Sequence, residues 1–175
     1  VINRIKKHEK WYWWIVVLIE LILFYSSSMT YKQQTSVPFL ERHLGSSNKP
    51  FYHLLNGINF NYGGKIQSIQ NDGYFHFVEF FIRKGAHFGI YFLLGLFLTL
   101  ALYNYFNNFK ILSVFVPWMM ATGLAAFDEF HQGLTGGRTP SVDDVILDSF
   151  GALIASLVLI LILYILSYRQ KKDLS

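Results

Sequence analysis

Long uninterrupted apolar runs dominate this chain, and strict alternation is almost absent. A bilayer core takes roughly 20 mostly apolar residues per helical span. Four segments meet that requirement, at about 11–31, 84–107, 110–133 and 143–168. The first carries one charge, Glu20, and the uncharged stretch 86–108 carries one ionisable side chain, His87. Stretches 111–127 and 149–168 are uncharged. Pro117 lies inside the third run; packed membrane helices accommodate proline as a kink. The pattern changes between about 32 and 82. Val37–Leu44 and 51–55 read as short amphipathic helices. Asn59–Tyr62 and 66–69 flank Gly63-Gly64, a hairpin signal. The aromatic stretch 74–82 reads as a helix running into the second span. No internal repeat or low-complexity tract is evident.

Composition supports the same solvent. Charged residues make up 15% of the chain and hydrophobic residues 53%, against about 25% charge in a soluble domain. A disordered chain, a collagen-like repeat and a disulfide scaffold are excluded. The chain contains no cysteine, so thiolate metal sites are excluded too. The first apolar run is long for the core of a signal peptide, and no convincing cleavage site follows Ser26–Ser28. It reads as a retained anchor.

Charge placement then sets an expected topology. Arg4, Lys6, Lys7 and Lys10 precede the first span, and Arg169, Lys171 and Lys172 follow the last. Basic flanks favour the cytoplasm, so both termini are expected there, with four spans between them. The segment at about 32–82 then forms a small extracytoplasmic cap. Arg83 and Lys84 run against this bias and suggest a local purpose. The net charge of +4 belongs to the tails and gives no reason to expect nucleic acid.

Hairpin connectivity brings the remaining polar residues to one membrane level, whichever side is outside. Lys84, His87 and Tyr91 lie at one end of the second span. Asp128, Glu129, His131 and Gln132 lie at the matching end of the third. Arg138 is in the next loop, and Asp144 and Asp148 open the fourth. His87 and Tyr91 share a helix face, as do Asp128 and Gln132. Five of the eleven acids fall between Asp128 and Asp148. Charges buried in a membrane are expensive, face a bundle interior or cavity, and read as functional.

Each also has a structural reading. Ser141 with Asp144 fits a capping box, and Thr139-Pro140 fits a helix start. Asp143 and Asp144 suit a helix N-terminus. Asp128, Glu129 and Gln132 can form an interhelical polar lock, with Arg138 as a partner for Asp128 or Glu129. Arg138 also offers a planar fork for phosphate or carboxylate. Glu20 reads as protonated or hydrogen-bonded to another helix. His8, His43, His53 and His76 read as surface residues. Trp11, Trp13, Trp14, Tyr103 and Tyr105 read as an interfacial belt. H-E-x-x-H, G-x-S-x-G and phosphate-loop motifs are absent. His87, Asp128 and His131 assemble into a metal site only on paper, so neither metal nor cofactor is expected.

The strings RKGAHFGIYFLLG, DEFHQ and GRTPSVDDVILDSFGA, with FYSSSMTYKQQ at the end of the first span, resemble the VanZ-like family. The resemblance covers nearly the whole chain in order. It implies one polytopic bacterial membrane domain over 1–175, in the cytoplasmic (inner) membrane. The family is named for a protein associated with low-level teicoplanin resistance, and the resemblance implies no settled biochemical activity. Motif positions carried over are Lys84, His87, Tyr91, Asp128, Glu129, Gln132, Arg138, Asp144, Asp148 and Gly151. Many members place an acid immediately before the tyrosine, where this chain has Ile90; Glu20 belongs to no family motif.

The expected fold is therefore an all-α, four-helix transmembrane bundle. The expected function is binding of an envelope glycan, a lipid-linked precursor or a glycopeptide antibiotic in an outward-facing polar pocket. Membrane lipid is the expected surrounding partner. The alternatives are a membrane-embedded hydrolase or transferase acting on a lipid-linked sugar or phosphate, and a non-catalytic accessory subunit.

Overall fold

The computed structural model describes residues 2–45, 49–106, 108–135 and 139–172. A short helix α1 (Ile2–Lys7) leads into α2 (Glu9–Ser27). An insertion follows, made of α3 (Tyr31–Gln34), α4 (Val37–Leu44), α5 (Tyr52–Leu55), the hairpin β1 (Asn59–Tyr62) and β2 (Lys65–Ser68), and α6 (Ile69–Asp72). Three long helices complete the chain: α7 (Tyr74–Phe106), α8 (Lys110–Leu134) and α9 (Val142–Lys172). Among the described residues, α2, α7, α8 and α9 are long and apolar enough to cross a membrane.

The insertion is more than a single loop. Ile69, Tyr74 and Phe77 form a buried cluster with Tyr52, Leu55 and Phe60 packed against it. This small core joins α5, β1 and α6 to the first turns of α7. It explains why α7 begins at Tyr74, ahead of the apolar run at 84: its early turns are buried by protein, not by lipid. The hairpin turn uses Gly63 and Gly64 at φ +60° and +73°, a pair of positive values that suits a two-residue turn between twisted strands. At the other boundary, α2 stops at Ser27 and not near 31. Gln33 Oε1 accepts the Thr30 backbone N–H at 2.8 Å, which starts α3 as a separate turn.

The bundle core forms where Val16, Ile19 and Leu23 of α2 meet Tyr91, Leu94 and Leu98 of α7, Ala121 and Ala125 of α8, and Ala152 of α9. Small residues let α7 and α9 approach closely, as in membrane helix pairs generally. A Cβ added at Gly95 would lie 2.6 Å from Ala152 Cα, and one at Gly151 would lie 2.7 Å from Phe88 O. One turn further, Thr99 Oγ1 donates to Ser156 Oγ at 2.9 Å. Gly95→Ala therefore overpacks backbone against backbone, and about 1–3 kcal/mol of destabilisation is expected. Thermal unfolding in detergent checks this; an unchanged midpoint would contradict the close α7–α9 approach.

The exterior is largely apolar, with Leu18, Leu21, Ile111 and Leu161 among many exposed aliphatic side chains. The aromatic belt reading requires a correction at Tyr103, which is buried with Ile5 and Leu163. Trp13 also packs against the core, whereas Trp11, Trp14 and Tyr105 are exposed. Belt and core positions alternate because only part of each helix end faces outward.

Candidate functional site

The polar ends of α7, α8 and α9 meet beside the insertion. Lys84 on α7 forms an ion pair with Asp144 on α9. The ammonium also sits 4.9 Å from the Tyr62 ring centroid and 5.6 Å from that of Phe80. Tyr62 reaches across from β1 and donates its hydroxyl to Asp144 Oδ1. Burial, then the neighbouring Asp144 carboxylate, push this phenol well above its ordinary pKa, so it remains a donor. The adjacent Gly63 N–H donates to Asp143 Oδ2 at 2.6 Å. Both acids in the first turn of α9 thus hold the hairpin, so a capping role alone does not account for them.

The expected capping box does not form at α9. Ser141 Oγ is buried without a hydrogen-bond partner among the described residues, and Asp144 is engaged by Lys84 and Tyr62. The Ser141 N–H instead donates to Glu129 Oε2 at 2.9 Å. Glu129 therefore bridges α8 to the start of α9. Gly133 makes room for this turn, since a Cβ there would lie 2.4 Å from Pro140 Cγ.

One turn deeper, His87 Nδ1 lies 3.4 Å from Asp148 Oδ2. Asp148 is 1% exposed and Tyr91 is 0% exposed. Gln132 Nε2 donates to Asp128 Oδ2 at 2.8 Å, so among the described residues these two pair within α8. Tyr91 Oη, Glu129 Oε1 and Asp148 Oδ1 are buried with no hydrogen-bond partner among the described residues. The Tyr91 phenol lies in the field of Asp128, Asp148, Glu20 and Glu129. Gly151 allows α9 to press against Phe88 and Phe92 of α7, which brings the Asp148 turn close to His87.

Glu20 lies beside the buried face of α2, within electrostatic reach of Asp128 on α8. Its Oε1 is buried with no hydrogen-bond partner among the described residues. His131 does not join His87. It contacts α2, with Nδ1 2.7 Å from Ser27 Oγ and its ring stacked on Phe24 at 4.6 Å. Among the described residues, no group of three or more His, Asp or Glu is arranged to hold a metal ion. Arg138 lies outside the described residues.

A cleft of about 570 Å3 opens between the insertion and the bundle. Lys84, Gln132, Ser141 and Asp144 line one part of it, and Tyr31, Glu79 and Arg83 line another. Glu79 went unremarked in the sequence, yet it is 2% exposed. Tyr31 donates to its Oε2 at 2.9 Å, and the Ser36 N–H donates to its Oε1. The signal available was a lone acid within an aromatic helical stretch. Arg83, whose local purpose was suspected, stacks over the Tyr31 ring at 5.3 Å. Tyr62 gave no signal, because its contact depends on the hairpin docking on α9.

The VanZ/LLP1 family model matches residues 11–164, a span that starts within α2, ends within α9 and includes the insertion. No curated protein and no solved structure matches the chain. With four long apolar helices and a match over most of its length, the chain belongs to the VanZ/LLP1 family of multi-pass bacterial membrane proteins.

Proposed function

We propose that this protein binds an envelope component, or a glycopeptide of the teicoplanin type, in the cleft between its insertion and its bundle. The observation that carries this reading is the combination of fixed charge and unused polar capacity. Lys84 and Arg83 supply cations at the cleft wall, and Asp144 and Glu79 supply carboxylates. One turn deeper lie Tyr91, Glu129 and Asp148, each with a buried polar atom that has no partner among the described residues. Such atoms cost about 1–3 kcal/mol each when left unpaired, and a ligand rich in hydroxyls and amines meets that need. Lys84 holds anionic groups, joined by Arg138 of the family motif. Asp128, Glu129, Asp144 and Asp148 hold hydroxyls and amines, assisted by His87, Tyr91 and Gln132. The exposed apolar helix faces suit a lipid-linked ligand.

The cleft faces away from the cytoplasm and both termini lie inside, supported by the basic tails. Because the chain contains no cysteine, single cysteines report this directly. Gln67→Cys on the hairpin is expected to react with an impermeant maleimide in intact cells, and Arg169→Cys only after lysis. The reverse pattern would invert the topology.

Binding is tested on purified protein with teicoplanin and with a polyprenyl-phosphate sugar. At a ligand concentration about 100 times Kd, stabilisation of about 2.7 kcal/mol is expected, seen as a raised unfolding midpoint. A second reading, a hydrolase or transferase acting on a lipid-linked sugar or phosphate, draws on the His87–Asp148 pair as base and orienting acid. Product formed from the lipid-linked sugar selects that reading. Absence of both a shift and a product removes both.

A further inference from the structure

A second cavity, of about 520 Å3, lies at the opposite end of the bundle from the polar cluster. It is enclosed by α1, the end of α7, the start of α8 and the last turns of α9. Among the described residues, Lys6 and Lys110 are its charged lining residues and no acid lines it. Glu9, the acid that opens α2, has one oxygen held by Asn104 and the other by Tyr105 at 2.9 Å. The described charged groups that line the cavity are thus both cations.

Its geometry also selects an amphipathic occupant. Lys110 Nζ sits 4.1 Å from the Tyr164 ring centroid. That cation–π contact orients the ammonium while leaving its N–H donors available. Ser113 Oγ donates to the Phe106 carbonyl at the end of α7 and Ser167 Oγ to the Leu163 carbonyl one turn earlier in α9, so their lone pairs can accept from hydroxyls. Ile160 and Leu163 form the apolar part of the lining. Beyond the rim, Ile111, Leu161 and Ile165 expose apolar side chains on the same helix ends. Cations and hydroxyls above, with aliphatic surface alongside, match a phosphate-bearing headgroup with attached acyl chains. A free inorganic anion would use only the upper half.

We propose that this groove is a binding site for an anionic glycerophospholipid, with its phosphate between Lys6 and Lys110 and its glycerol headgroup against Ser113 and Ser167. The site is separate from the cleft at the insertion end and does not depend on what that cleft binds. Basic pockets between membrane helices are suited to such headgroups, and each lysine contributes about 1 kcal/mol near an anionic lipid surface.

The test uses the full chain in neutral detergent, with lipid adducts counted by native mass spectrometry and unfolding midpoints measured alongside. Phosphatidylglycerol is expected to bind and raise the midpoint. Phosphatidylcholine and inorganic phosphate are expected to do neither. Lys6→Gln or Lys110→Gln should each weaken phosphatidylglycerol binding about five-fold, and the double variant about 30-fold. Lys32→Gln, an exposed lysine in the insertion, should leave binding unchanged. The Lys6→Arg and Lys110→Arg variants retain charge and should retain binding. Equal binding of phosphatidylcholine, or unchanged affinity in the double Gln variant, would overturn the proposal. A stabilisation by inorganic phosphate as large as that by the lipid would assign the cavity to a free anion and overturn it as well.

Discussion

An Asp148→Asn variant is expected to reach the membrane at the normal level and unfold within a few degrees of the parent, yet bind its ligand about 10- to 100-fold more weakly. The argument starts from the side chain's sparse structural duties. Asp148 is 1% exposed, but one of its oxygens has no partner among the described residues. The other lies at the long distance of 3.4 Å from His87 Nδ1. Asparagine keeps the volume and one acceptor, so little packing or hydrogen bonding is lost. What disappears is one acceptor oxygen and the capacity to carry a charge. A hydrogen bond to a charged group is worth about 1.5–3 kcal/mol, which sets the expected loss of affinity. Cells expressing the variant should lose any protection against teicoplanin to the same degree. A collapse in folded yield with binding intact would identify the polar cluster as a helix lock and sink the proposed function.

The largest effect on stability is expected at the Lys84–Asp144 pair. Their side chains are 20% and 14% exposed, so neither charge is well hydrated. Among the described residues, Lys84→Met leaves Asp144 with only the Tyr62 hydroxyl. Breaking a buried pair by removing one partner costs about 3–5 kcal/mol, and residual hydration places this case near 3 kcal/mol. Asp144→Asn should cost less, because Asn retains an acceptor for Tyr62. Combining Lys84→Met with Asp144→Asn should recover more than half of the loss, since no uncompensated charge remains. Chemical denaturation of the four proteins in detergent measures the coupling. Additive losses would show that the two residues do not depend on each other. Hydrogen exchange in β1 and β2 should rise in Asp144→Ala, which removes one of the hairpin's two anchors on α9.

The spans were legible because lipid imposes a simple requirement: a continuous apolar helix of a set length. The hairpin was legible because Gly63-Gly64 is a local turn signal, and α4 because Val37–Leu44 is amphipathic over its whole length. The meeting of Lys84, Asp128, Glu129 and Asp144 followed from connectivity, since antiparallel neighbours share ends. The partnerships were not legible. Glu129 holding the Ser141 N–H, Tyr62 holding Asp144 and Tyr31 holding Glu79 all join residues that lie on different elements and are brought together only by the tertiary fold. Local pattern assigned Ser141 and Asp144 to a capping box, but tertiary contacts outcompeted it. The surroundings of Glu20 were hidden for a related reason. Its own helix explains nothing about it, and its neighbour Asp128 comes from α8.

The backbone contact between α7 and α9 constrains how this molecule can move. Gly95 against Ala152, Gly151 against Phe88 and Thr99 against Ser156 fasten the two helices over several consecutive turns. They behave as a single strut, and the Lys84–Asp144 and His87–Asp148 pairs both lie within it. The α8 helix is tied to the same strut, since Glu129 Oε2 accepts the Ser141 N–H and Trp118 Nε1 donates to Ser149 Oγ. Glu20 is carried by α2 instead, so a displacement of α2 would draw Glu20 away from Asp128 while leaving the Lys84–Asp144 and His87–Asp148 pairs together.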